Sequence, residues 1–312
     1  MKMILGLILT GVAVVHGQEV LRPPAVPLVA HDPYFSIWSM ADKLTDANTK
    51  HWTGAEQALS GLVRIDGTAY RYMGTRPRRN VPAMEQVSLT MTPTHTDYVF
   101  TAAGVRLGVT FFTPAMPDDL DVMARPVTYL VWQVSATDGK NHNVTILLDC
   151  DPVLAVDTNT QDVVWGRSQA GSGLSVLSVG SRDQRVLGRS GDDLRIDWGY
   201  FHVAVPVGQG ATVAASREAI GSFVETGQLP AADDLEMPQT PRTGAAHLAV
   251  ELPVSLDGSS KTETRHVLLA YTQPFAIEYL NQKLKPYWRR YDSARTAPMA
   301  LASEYGALSG WG

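Results

Sequence analysis

Apolar and polar side chains alternate with a period of two along most of this chain. Val105, Leu107, Val109 and Phe111 fall on one side of an extended backbone, with Arg106, Gly108, Thr110 and Phe112 opposite, the mark of a half-buried strand. The same reading predicts strands over Gln86–Thr92, Thr96–Ala102, Val127–Val134, Asn143–Asp149, Val163–Arg167, Ser175–Val179, Gln184–Arg189, Leu194–Trp198, Tyr200–Val205, Ala211–Arg217, His247–Leu252 and Arg265–Tyr271. Leu62–Ile65 and Thr68–Tyr72 flank Asp66-Gly67, a strong hairpin signal because a type I′ turn needs positive φ at both central residues. Short strands separated by Gly, Pro and Asx turns predict an all-β chain, a large antiparallel β-sandwich of supersandwich-like build.

The pattern changes at both ends. Met3–Val15 is apolar apart from Thr10 and follows Lys2, and Val15 and Gly17 are small enough for the −3 and −1 positions of a cleavage site before Gln18. That predicts a signal peptide over 1–17 and a secreted or periplasmic protein, with no membrane association once the signal is cleaved. Ile277, Leu280, Leu284 and Trp288 recur at spacings of three, four and four, which predicts a helical stretch within 276–312 leading towards a helical domain. Between them, the polar, Pro- and Arg-containing run from Thr75 to Val81 divides an N-terminal segment (18–75) from the sandwich domain (76–275).

Composition narrows the classes. The 312 residues are 45% hydrophobic and 18% charged, with a net charge of −5. Those are globular values, and a chain of this length buries enough surface to need no disulfide or metal. Loss of the signal peptide removes one positive charge, Lys2, and no basic run beyond Arg76–Arg79 remains, which gives no electrostatic footprint for nucleic acid. The single cysteine, Cys150, sits in the apolar run TILLDCD and reads as a small buried hydrophobe.

The densest mixture of aromatic and polar groups is the stretch from Pro27 to Gly74. His31-Asp32, or Asp46 with His51, are the pairs in which a carboxylate could orient a histidine for acid–base work. The plainer reading is structural, with Asp32 and Asp46 in turn hydrogen bonds, His51 a satisfied structural histidine, and Tyr34, Trp38 and Trp52 in the core; the sharper one has Asp32, Tyr34, His51 and Trp52 facing a neighbouring domain or a ligand. Asp118, Asp119 and Asp121 lack the ligand series of a calcium loop, and Asp149 and Asp151 read as strand-end structural groups. No paired histidines with zinc spacing, no GxSxG elbow and no phosphate-cradling glycine loop are present, so no metal, cofactor or catalytic residue is assigned.

Val26-Pro-Leu-Val, Asp32-Pro-Tyr-Phe-Ser-Ile-Trp-Ser, His51-Trp-Thr-Gly and Ile65-Asp-Gly-Thr-Ala-Tyr-Arg-Tyr-Met-Gly resemble the N-terminal segment of the secreted glutaminase A family of fungi and bacteria. Gln86-Val, Thr92-Pro-Thr-His-Thr, Phe111-Phe-Thr-Pro, Pro117-Asp-Asp-Leu, Ala270-Tyr and Tyr287-Trp-Arg-Arg extend the resemblance in order along the chain. The resemblance implies an N-terminal segment and a β-sandwich that precede a six-hairpin helical toroid, in an enzyme hydrolysing glutamine to glutamate and ammonia. It implies that the toroid of the same protein is the main partner of this part, with a small-molecule substrate and chemistry located elsewhere. The alternative is a carbohydrate-binding or glycoside hydrolase-associated sandwich, which would need an exposed aromatic platform such as Trp165 or Trp198.

Overall fold

A computed structural model describes residues 23–77, 80–170 and 173–289. In chain order, β1 (Val26–Asp32) and β2 (Phe35–Ser39) form an antiparallel hairpin, followed by β3 (Leu59–Ile65) and β4 (Thr68–Met73). A meander of β5 (Glu85–Met91), β6 (His95–Ala102) and β7 (Val105–Phe112) leads through the short α1 (Leu120–Met123) to β8 (Val127–Ala136) and β9 (Asn141–Cys150). Next come β10 (Val163–Ala170), β11 (Leu174–Ser181), β12 (Tyr200–Pro206), β13 (Thr212–Ser216) and α2 (Ala219–Thr226). The described chain closes with β14 (His247–Asp257), β15 (Glu263–Thr272) and a small hairpin of β16 (Ile277–Tyr279) and β17 (Gln282–Leu284).

Two antiparallel sheets make the sandwich. One has eight strands in the order β10-β11-β12-β15-β8-β7-β6-β5; the other has five, β13-β14-β9-β3-β4. Strand alternation explains their stacking. Leu107 and Val109 of β7, Leu130, Trp132 and Val134 of β8 and Phe201 of β12 face Val63, Ile146, Leu148 and Val250 from the smaller sheet. Full burial of each such side chain contributes roughly 1.5–3 kcal/mol. Two polar tips meet inside the core. The Tyr72 hydroxyl on β4 donates to the Leu147 carbonyl at 3.2 Å and accepts from the Trp132 indole N–H at 3.0 Å, a bond from one sheet to the other.

The N-terminal segment is part of this packing. Phe35 and Ile37 of β2 enter the central core, with Phe35 4.8 Å from the Tyr271 ring and 5.6 Å from that of Phe201, and β3 pairs along its whole length with Val144–Cys150 of β9. The Asp66-Gly67 turn has φ of 48° and 90°, as its sequence predicts. On the outside of the smaller sheet, Ala219 and Phe223 of α2 cover Leu62, Leu147 and Ala249. Arg64 donates to the Val224 carbonyl at 2.9 Å, satisfying an acceptor that the helix end leaves open.

Two expectations are corrected. Gln184–Arg189 and Leu194–Trp198 are not strands. Gln184 and Leu187 have φ of 45° and 53°, which no strand accommodates, and the Gln184 side chain ties the loop to the Ser181 and Gly199 carbonyls. The apolar spacing at 277–284 marks a hairpin and not a helix: Leu280 and Asn281, at φ 48° and 58°, form its turn. Beyond it, Tyr287–Arg289 is one 3₁₀ turn. The predicted signal peptide and the part of the predicted helical stretch beyond residue 289 lie outside the described residues.

Candidate functional site

The singled-out residues gather at one end of the sandwich, around the β1–β2 turn. Asp32 ends β1, and its Oδ1 accepts the Tyr34 backbone N–H at 2.8 Å, an Asx turn that reverses the chain at Pro33. Its Oδ2 accepts from the Gln273 side-chain amide at 3.1 Å, just past the end of β15. Burial holds the Asp32 carboxyl above the ordinary value, against the backbone and Gln273 donors, which pull it down. The Tyr34 carbonyl accepts from Ile196 N–H at 2.9 Å, so the turn is wedged between the 182–199 loop and the end of β15.

Two clefts open on either side of this wedge. Tyr34 and Trp198, with ring centroids 6.2 Å apart, floor a cleft of about 570 Å³ walled by Leu187–Asp192 and by Ala276, Ile277 and Glu278. The other, about 360 Å³, is lined by His31, Asp32, Pro33, Ser36, Trp38 and Trp52 among others. Trp52 is 48% exposed, and its indole N–H donates to the Pro33 carbonyl at 2.8 Å. Beneath it, His51 is fully buried, 5.6 Å from the Trp52 ring, with Nδ1 3.0 Å from the Thr53 hydroxyl. Burial and the nearby Arg195 cation lower the pKa of His51 to about 4, so it is a neutral imidazole at pH 7.

The geometry does not assemble an acid–base pair from these residues. His31 bonds Thr128 through Nδ1 at 3.2 Å, burial lowers its pKa to about 3, and Asp32 turns to Gln273 instead. Asp46 is exposed in a turn, and no carboxylate hydrogen-bonds His51 among the described residues. Three of the four candidates, Asp32, Tyr34 and Trp52, reach solvent, whereas His51 is buried beside Trp52. No group of three or more His, Cys, Asp or Glu is arranged for a metal among the described residues. Asp119 caps α1 through the Asp121 and Val122 N–H groups, and Cys150 is a buried free thiol. Trp165 and Trp198 are 6% and 4% exposed, so neither forms the expected platform.

Charge networks that the sequence pattern does not reveal brace the same end and its flanks. Asp157 receives Arg189 and the Arg195 guanidinium and backbone N–H, and Gln161 binds Asp197 at 2.9 Å, which pins the 182–199 loop. Asp149 holds His247 at 2.7 Å, and Asp151 holds Arg76 at 2.8 Å, fastening the 75–81 connector to β9 and β14. Only the long-range strand register brings these partners together. Next to the larger cleft, the β16–β17 hairpin leaves Ile277, Tyr279 and Leu280 52%, 64% and 79% exposed, with Tyr287 44% exposed beyond it.

The family described as "Domain of unknown function (DUF5127)" matches residues 94–309, and that described as "Domain of unknown function (DUF4964)" matches residues 10–81. The chain is 25% identical over 300 residues to "Glutaminase A" of Aspergillus oryzae, covering 89% of this chain and 41% of that protein. It is 21% identical over 310 residues to a "Probable glutaminase" of Arthroderma benhamiae, covering 88% of this chain and 35% of that protein. The chain thus spans about two fifths of the length of these curated relatives. Among solved structures, a putative kojibiose phosphorylase from the human microbiome superposes with a TM-score of 0.44 at 8% identity, covering 91% of this chain and 33% of that one. A galactose mutarotase-like protein from Lactobacillus casei gives 0.37 at 7% identity, covering 80% and 100%. At these scores neither likeness carries an argument.

Proposed function

The chain belongs to the DUF5127 family, and on that premise we propose that it is the non-catalytic N-terminal part of a secreted glutaminase A-like amidohydrolase. Such an enzyme adds water to the side-chain amide of glutamine, giving glutamate and ammonia. The observation that carries the reading is the collinear match over 300 residues to a protein of that name, of which the matched region is 41%. On this reading the chemistry belongs to the remaining part of the protein, and the sandwich supports and partly walls it. The end bearing Asp32, Tyr34, Trp52 and the Ile277–Leu284 hairpin is the docking face, which accounts for apolar side chains left in water. His51 is a positioning residue behind Trp52. Secretion rests on the Met1–Gly17 reading.

The test is an assay of the protein made from the whole reading frame, measuring ammonia release from glutamine and, in parallel, reducing-sugar release from oligosaccharides. Ammonia release by the long form, with none from residues 1–312 alone, is the expected result. Sugar release without ammonia would replace the amidohydrolase reading with a glycoside hydrolase. Turnover of glutamine by the 312-residue chain alone would overturn the assignment of a non-catalytic role.

A further inference from the structure

The outer face of the eight-stranded sheet carries a group of residues that the docking face does not use. Alternation on β11, β12 and β15 brings Ser178, Tyr200, His202 and Thr272 to that face, with Ser178 opposite His202 and Tyr200 opposite Thr272. His202 is 5% exposed and bonded at both nitrogens, to Ser178 Oγ at 2.7 Å through Nδ1 and to Thr272 Oγ1 at 2.8 Å through Nε2. Burial lowers its pKa to about 4, so it is neutral. Whichever tautomer it adopts, Ser178 keeps unused hydrogen-bonding capacity, and this half-buried hydroxyl lines a groove of about 350 Å³. Val164, Trp165, Gly166, Arg167, Ser168 and Tyr200 complete the lining.

Two glycines shape this groove. A Cβ on Gly180 would lie 2.5 Å from Tyr200 Cδ1, so the Tyr200 ring packs against bare backbone and remains 39% exposed. Gly166 pairs with Ser178 in the ladder, and a Cβ there would meet nothing within 4 Å, so the space opposite the hydroxyl is open. The one cation in the lining, Arg167, is neutralised by two hydrogen bonds to Asp233 at 2.8 and 3.1 Å. An aromatic face, polarised hydroxyls and no uncompensated charge select a neutral ring bearing hydroxyl groups. We propose that this groove binds a single sugar unit, with one face of the ring on Tyr200 and a hydroxyl on Ser178. The proposal is independent of the amidohydrolase reading.

The experiment is saturation-transfer NMR on the 312-residue chain with methyl β-glucoside, methyl β-galactoside and methyl α-mannoside. At least one should bind with a Kd of about 1–10 mM, the strength expected of one ring on one platform. Tyr200→Leu should weaken that binding about tenfold or more, and Gly180→Ala, which displaces the ring, should do likewise. Ser178→Ala should weaken it without disturbing the tyrosine. Thermal midpoints show whether each variant is folded, and shifts of the Tyr200 ring resonances on titrating the unmutated chain provide a readout that needs no variant. No saturation transfer from any of the three glycosides at about 20 mM, or a site whose binding leaves the Tyr200 resonances unmoved, would overturn the proposal.

Discussion

Removing one oxygen from the core tests whether the N-terminal segment is a layer of the sandwich. Tyr72 is fully buried on β4, inside that segment, and its hydroxyl accepts the Trp132 indole N–H from the opposite sheet while donating to the Leu147 carbonyl. Tyr72→Phe keeps the ring and deprives the buried Trp132 indole N–H of its acceptor. An unsatisfied buried donor costs about 1–3 kcal/mol, and the lost bond to Leu147 adds to it, so a destabilisation of about 2–3 kcal/mol is expected. That corresponds to a fall in the thermal midpoint of about 4–8 °C for a domain of this class. Urea unfolding followed by tryptophan fluorescence measures it directly. The cycle with Trp132→Phe sharpens the test: once the indole N–H is gone, Tyr72→Phe should cost less, with a coupling of about 1 kcal/mol. A cost below about 0.5 kcal/mol, or additive variants, would refute the reasoning and imply that the two sheets are not tied at this point.

The remaining predictions concern packing, pH and the pinned loop. A Cβ at Gly61 would lie 2.3 Å from the Tyr72 ring, so Gly61→Ala should cost about 1–3 kcal/mol in the same urea assay. His142 is bonded to Asp138 at 3.0 Å and Asp66 at 2.6 Å, and these carboxylates raise its pKa. Its contribution is therefore complete below the unfolded value of 6.5 and lost as pH rises through the folded one; NMR titration and a flattened pH profile in His142→Gln check this. His51 and His202, buried and lowered to about 4, act with the opposite sign, so stability present above pH 6.5 should decline as pH falls towards 4. Asp157→Asn removes the charge that receives Arg189 and Arg195, and tryptic cleavage within 182–195 should accelerate several-fold while cleavage elsewhere is unchanged.

Local signals carried most of the fold. The alternation at 105–112 and the Asp66-Gly67 turn appear in the structure as read, because each depends on neighbouring residues alone. Gln184–Arg189 and Leu194–Trp198 alternate in sequence yet form a loop, because positive φ at Gln184 and Leu187 and the grip of Asp157 on two arginines outweigh strand propensity. Ile277, Leu280 and Leu284 have helical spacing, but a Leu280-Asn281 turn places them on an exposed hairpin. At the candidate site, the sequence brought Asp32, Tyr34, His51 and Trp52 into view, but not that His51 is buried beside Trp52 while the other three reach solvent. Exposure depends on the β15 end and the 182–199 loop, more than a hundred residues away. The Asp149–His247 and Asp151–Arg76 pairs and the Ser178–His202–Thr272 row are likewise products of strand register, which no local pattern encodes.

On the proposed function, this chain supports a catalytic unit through the end that carries Trp52 and the β16–β17 hairpin. The most direct measurement is glutamine turnover by the long form carrying Tyr279→Asp and Leu280→Asp, two substitutions on exposed side chains that leave the sandwich core untouched. Turnover should fall about tenfold or more, while the same pair leaves the unfolding midpoint of the 312-residue chain unchanged. Undiminished turnover in the double variant would contradict the account.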